Sequence, residues 1–148
     1  MLSSKAKYGL KAMVHLARRE GERTILIADI ATTERIPRKF LDAILLELKL
    51  QGFLISKKGK GGGYALGRPA KSIAVGDIVR ILDGPLAPVP CVSRTAYRRC
   101  DDCADEEACS VRAVMQDVRD AVAKILDNTN LAELALRRAE PPGLLYDI

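Results

Sequence analysis

Tyr8, Ala12, Met13, Leu16 and Ala17 recur at helical spacing between about Ser4 and Arg19, with Lys5, Lys7, Lys11 and Arg18 on the other side. This pattern predicts an amphipathic first helix, and Gly21 supplies its stop. Ile27, Ile30 and Ala31 share a face of "LIADIATTER", which reads as a short second helix. A longer third helix follows in "IPRKFLDAILLELKLQG", with Phe40, Leu41, Ile44, Leu45 and Leu48 as its expected buried stripe. Pro37 suits the first turn, where its missing N–H forfeits no helical bond, and Gly52 is a natural C-terminal stop. Opposite the stripe lie Arg38, Lys39 and Asp42, at the end that a recognition helix presents to base edges in the major groove.

After Gly52 the period changes. "FLISKKGKGGGYALGRP" sets two short apolar runs around a turn rich in glycine and lysine, the sequence form of a β-hairpin. Lys57, Lys58 and Lys60 fall at its tip, and Gly61, Gly62 and Gly63 let the backbone bend and approach a phosphate or enter a minor groove. Taken alone, such a tip serves equally well as a floppy turn whose lysines keep an edge strand soluble. Following a helix, a short turn and a second helix, it reads as a wing. A nucleotide-binding phosphate loop is a poor rival, because "GKGGGY" lacks that loop's spacing and does not stand between a strand and a helix.

Further on, Val111, Val114, Met115, Val118, Val122, Ile125 and Leu126 hold a heptad-like spacing, with Asp117, Arg119, Asp120 and Lys124 on other faces. A helix with such a stripe needs a partner, either the body of its own domain or a second copy across a two-fold axis. "NTNLAELALRR" reads as a short closing helix capped by Asn128 or Thr129, and "PPGLLYDI" as an extended tail. The fold class expected is therefore mainly α with a small β-hairpin wing, a winged helix-turn-helix plus a long dimerisation helix. The divisions expected are a DNA-binding domain over 1–84, a cysteine-rich loop over 85–110, the dimerisation and closing helices over 111–138, and a tail over 139–148.

Composition narrows the partner. The 148 residues, 48% of them hydrophobic, suit one ordinary domain with an appendage. Lysines interrupt the apolar positions of the N-terminus, so neither a secretory signal nor a membrane span is expected and the cytoplasm is the expected location. The net charge of +5 is unevenly spread: through Gly84 there are 16 Lys and Arg against 8 Asp and Glu, and beyond it 8 against 11. A basic N-terminal half suits a polyanion, and the helix order selects double-stranded DNA over a membrane surface. A single histidine, with no Ser/His/Asp set and no paired catalytic carboxylates, argues against an enzyme and against a small-molecule substrate.

Every cysteine lies in "CVSRTAYRRCDDCADEEACS": Cys91, Cys100, Cys103 and Cys109, at spacing C-x8-C-x2-C-x5-C. Cytoplasmic thiols stay reduced, so metal or redox chemistry is expected before structural disulfides. Cys100 and Cys103 form a knuckle of the kind zinc sites use, but the other two stand apart at irregular spacing, which suits an iron–sulfur core. A thiol–disulfide switch is also open, with Arg98 and Arg99 favouring thiolate and Asp101 and Asp102 opposing it.

"SSKAKYGLKAM", "IADIA", "IPRKFLDAILLELKLQGFL", "GGGYALGRPAKSIAVGDIVRILDG" and the cysteine segment together resemble the Rrf-type winged-helix transcription regulators, the family of IscR/NsrR-like iron-sulfur regulators. The resemblance covers nearly the whole chain. It implies a homodimer on a two-fold-symmetric DNA site, with the cluster loop between the winged helix and the dimerisation helix. It also implies that Cys91, Cys103 and Cys109 ligate a 2Fe-2S or 4Fe-4S cluster, whose fourth ligand varies within the family. Arg112 stands where some members carry a ligating histidine, and Tyr8 where others carry an acid. Cys100 is then the candidate fourth ligand, with His15 as an alternative and structural zinc as the alternative metal. The DNA surface implied comprises Ser4, Lys5 and Tyr8, then Arg38, Lys39 and Asp42, with Asp42 bearing on sequence discrimination, and the wing residues Lys57, Lys58 and Lys60.

Overall fold

The computed structural model describes residues 2–138, so the expectation for the tail over 139–148 lies outside the described residues. Three helices open the chain: α1 (Ser4–Ala17), α2 (Ile27–Glu34) and α3 (Arg38–Leu50). Ser3 caps α1, its side chain accepting from the Ala6 N–H, and it is itself held to Asp83 by backbone N–H and hydroxyl. Arg35 takes a left-handed conformation between α2 and α3, which turns the chain sharply enough for the two helices to pack. Gly52, at φ 83°, closes α3: its N–H reaches Lys49 O and the Phe53 N–H reaches Leu48 O.

Strands β1 (Leu54–Lys57) and β2 (Gly63–Leu66) form the expected antiparallel hairpin, with Leu54 opposite Leu66 and Lys57 opposite Gly63. The hairpin is not free-standing. Ile25 bridges to Tyr64 by two backbone hydrogen bonds of 2.7 and 2.8 Å, seating the wing against the residues just before α2. That approach requires glycine at position 63, where φ is 142° and a Cβ would fall on the Ile25 carbonyl.

Beyond a 3-10 turn at Ala70–Ser72 comes α4 (Val75–Asp83), which buries Val75, Ile78, Val79 and Leu82. A second 3-10 turn at Pro90–Val92 opens the cysteine segment, and α5 (Ser110–Asp127) and α6 (Leu131–Leu136) close the described chain. One core holds the N-terminal unit together, built from Met13 and Leu16 of α1, Ile30 of α2, Leu41, Ile44, Leu45 and Leu48 of α3, and Ile78 of α4. Leu131 of α6 is fully buried in that same core, so the chain returns to α1 after leaving along α5.

Two expectations need correction here. Phe40 is not part of the buried stripe but is 60% exposed. Leu41, Ile44, Leu45 and Leu48 already fill the face that α3 turns to the core, and a residue one position earlier sits about 100° round the helix. Asn130, rather than Asn128 or Thr129, caps α6, accepting from the Glu133 N–H while its own amide reaches the Glu133 carboxylate. Asn128 and Thr129 instead bond back to the Lys124 and Ile125 carbonyls at the end of α5.

Helix α5 buries no residue in the single chain. Val111, Val114, Val118, Val122 and Ile125 remain 37–62% exposed, in a line along one side. Polar contacts help attach it to the rest of the chain. Arg80 of α4 donates to both oxygens of Asp127 at 2.7 and 2.8 Å, and this contact holds the Asp127 carboxyl below its ordinary value of 3.8. Arg119 donates to the Val92 carbonyl at 2.6 Å, tying the middle of α5 to the start of the cysteine segment.

Candidate functional site

The three basic segments singled out in the sequence converge on α3. On one flank, Lys5 of α1 pairs with Glu47 at 2.7 Å and the Tyr8 ring lies 6.5 Å from the Phe40 ring. On the other flank stands the wing, close enough that burial first and the Asp42 carboxylate second raise the Tyr64 phenol above its usual value. Arg38 and Asp42, one turn apart, form an exposed pair at 3.6 Å. Ser4, Lys39, Lys57, Lys58 and Lys60 are exposed, the last three along the wing. A groove of about 390 Å³ runs between the start of α2, α3 and the wing, lined by Arg38, Lys49, Ser56, Lys57 and Lys58 among others. Such a groove, with cationic walls and glycines at its edge, admits a phosphate backbone.

Not every basic residue of α1 belongs to this face. Lys11 donates to the Glu34 carbonyl, closing the C-terminus of α2, which leaves Lys5 and Lys7 as the exposed cations of α1. Lys49 and Ser56 join the groove without a sequence signal, because each becomes part of it only when the wing folds back on α2.

The thiols fall in two groups along the loop. Cys91 is buried in the Pro90–Val92 turn, and the Arg98 N–H donates to the Pro90 carbonyl, which folds the segment back toward that turn. Hydrogen bonding to Cys91 is the main cause that raises the Cys100 thiol above its usual value, followed by desolvation and then by charge on Cys91, Asp102 and Cys103. The Cys103 N–H donates to the Cys100 carbonyl at 3.1 Å, a tight turn through the knuckle. Cys109 stands at the N-cap of α5, its sulfur accepting from the Arg112 N–H at 3.4 Å. Tyr97 and Glu106, joined by a hydrogen bond, brace the loop between these groups.

The Arg99 guanidinium donates to the Cys103 and Ala104 carbonyls, each at 3.3 Å. His15 takes no part in the loop: it is buried between α1 and α2, with Nδ1 2.9 Å from the Glu34 carboxylate. Among the described residues, no three His, Cys, Asp or Glu side chains stand in an arrangement that holds a single metal ion.

A helix-turn-helix with a seated wing, a basic face converging on α3 and an apolar stripe on a long trailing helix define the class of winged-helix transcription regulators. Residues 2–137 match the Rrf2 family, described as an iron-dependent transcriptional regulator, and the chain belongs to that family. It is 40% identical over 150 residues to an rrf2-like HTH-type transcriptional regulator of Rhodobacter capsulatus, covering 99% of this chain and all of that one. The solved structure of CymR, the global cysteine regulator of B. subtilis, superposes with a TM-score of 0.76 at 33% identity, over 91% of this chain and 95% of the other. The structure of T. potens IscR matches with a TM-score of 0.72 at 27% identity, over 90% and 85%. These relatives are transcription regulators and not enzymes. No helix among the described residues is long and apolar enough to cross a membrane.

Proposed function

We propose that the chain is a cytoplasmic, homodimeric DNA-binding regulator whose cysteine loop holds an iron–sulfur cluster and alters DNA affinity according to redox state, iron or nitric oxide. One observation carries this reading: the thiols sit at the joint between the DNA-facing unit and α5. Cys91 adjoins Val92, whose carbonyl binds Arg119 of α5, and Cys109 caps α5 itself. Any group that draws these sulfurs together therefore acts on the position of α5, and through a second copy docked on its valine stripe on the spacing of two α3 helices.

The donor set fits such a group. Four thiols lie within one loop, Cys91 is near enough to raise the Cys100 thiol, and the Cys109 sulfur accepts from a backbone N–H at the start of α5. Cys91, Cys100, Cys103 and Cys109 would hold the cluster, which supplies reversible electron transfer and reactivity toward nitric oxide when bound. The loop must tighten to gather all four, so binding would be coupled to ordering of residues 91–109. A second reading, a thiol–disulfide switch, is favoured by the nearness of Cys91 to Cys100 alone.

Anaerobic purification with assays for iron, acid-labile sulfide and zinc separates these readings. The cluster predicts iron and sulfide in near-equal amounts and their loss in Cys100→Ser. Colourless protein carrying stoichiometric zinc, or metal-free protein with a reversible Cys91–Cys100 disulfide, refutes the cluster. Retention of a labelled duplex with a two-fold-symmetric site tests the DNA reading separately.

A further inference from the structure

The outermost surface of α3 carries an apolar element that the basic groove does not explain. Phe40 keeps 60% of its surface in water on the first turns of α3, its ring tilted 45° to the half-buried Tyr8 ring at a centroid distance of 6.5 Å. Ala43, three residues on, is exposed on the outward ridge beside it. Charge brackets this pair: Lys39 stands next to it on the ridge, the Arg38–Asp42 pair lies on the wing side, and Lys5 lies on the α1 side. An aromatic left in water on the flank of a largely cationic surface fits a ligand with a polyanionic rim and an apolar centre. A thymine edge in the major groove has that form, with phosphates on either side and a C5-methyl group projecting between them.

We infer that Phe40 reads a thymine methyl group in each half-site, with the small side chain of Ala43 letting the base edge approach. The inference rests on the DNA-binding reading and adds to it a residue that selects sequence without hydrogen bonding. Phe40 has no donor or acceptor, so its discrimination is carried by burial of the methyl, while Lys39 and the wing lysines set affinity for any duplex. Deoxyuridine presents the same hydrogen-bonding edge as thymidine and differs only in lacking that methyl. It therefore isolates the contact.

The experiment selects duplexes from a random library with the full chain and then replaces each thymine of the selected site, one at a time, by deoxyuridine. One thymine per half-site is expected to lose about fourfold in affinity on replacement, the worth of one buried methyl-sized group. In Phe40→Ala the same replacement should change affinity little, while binding to unselected duplex stays as in the parent. Phe40→Leu, which keeps an apolar side chain, should restore part of the sensitivity. An equal deoxyuridine penalty in the parent and Phe40→Ala overturns the inference, as does the absence of any penalty in the parent. Failure of the parent to retain any duplex overturns it together with the DNA reading, and is distinguishable because no site is then selected. Phe40 is mostly exposed, so thermal melting of both variants should match the parent.

Discussion

Replacing Lys58 and Lys60 by alanine removes two ammonium groups from each wing tip without disturbing the hairpin. Both residues are exposed and lie beyond the paired strands, whereas Lys57 belongs to the ladder opposite Gly63 and is best left alone. Neither forms an ion pair among the described residues, so both charges are available to phosphate. Each phosphate neutralised contributes about 0.9 to the slope of log affinity against log salt. Two lysines on each of two wings then account for a slope of about 3.6, and the double variant should be flatter by that amount. Between 50 and 200 mM salt the parent should lose about a hundredfold more affinity than the variant, for the same DNA. Fluorescence anisotropy with a labelled duplex across that range reads both quantities. Folding stability should move by less than about 0.5 kcal/mol, as for other exposed positions. If affinity and slope both stay at the parent values while the fold is intact, the wing tips do not meet phosphate and the reasoning fails.

Gly63→Ala should unseat the wing, because a Cβ there meets the Ile25 carbonyl at a φ that favours glycine; a cost of about 2–3 kcal/mol is expected in urea unfolding, and a parent-like midpoint would show the bridge to be dispensable. Val118→Asp places a carboxylate in the middle of the exposed stripe of α5 and, counted twice by symmetry, should weaken a dimer by at least about tenfold, read by light scattering as monomer at micromolar concentration. The Asp127 carboxyl is held below its ordinary 3.8 by Arg80, so the stability it adds is fully present above that value and is lost as pH falls through the lower folded value. With side chains 33% and 40% exposed, the pair contributes no more than about 1 kcal/mol, and Asp127→Asn should cost that much at pH 7 and less at pH 2. An equal cost at both pH values would point to packing rather than charge.

Periodicity and chain punctuation were enough to place α1, α2, α3, the hairpin and α5, since these depend on contacts within a few residues. The helix stop at Gly52 and the glycine-rich turn between Lys57 and Gly63 were visible for the same reason. Helix α4 was not predicted from the sequence: it is short and no side-chain cap marks its start. Phe40 was misplaced because its apolar character fits a core pattern equally well, and only the packing of α3 on its neighbours shows that the core side is already full.

By itself the sequence determined the element types, the basic bias of the N-terminal half and the gathering of all four thiols into one loop, because each is a property of neighbouring residues. The tertiary structure decided how these parts meet. Ser3 reaches Asp83 across 80 residues, Tyr64 pairs with Ile25, and Arg80 clamps Asp127 across 47. Such contacts leave no periodic trace in the chain, since their geometry exists only after the core has folded. They set which lysines face outward together, and leave the valines of α5 and the ring of Phe40 in water.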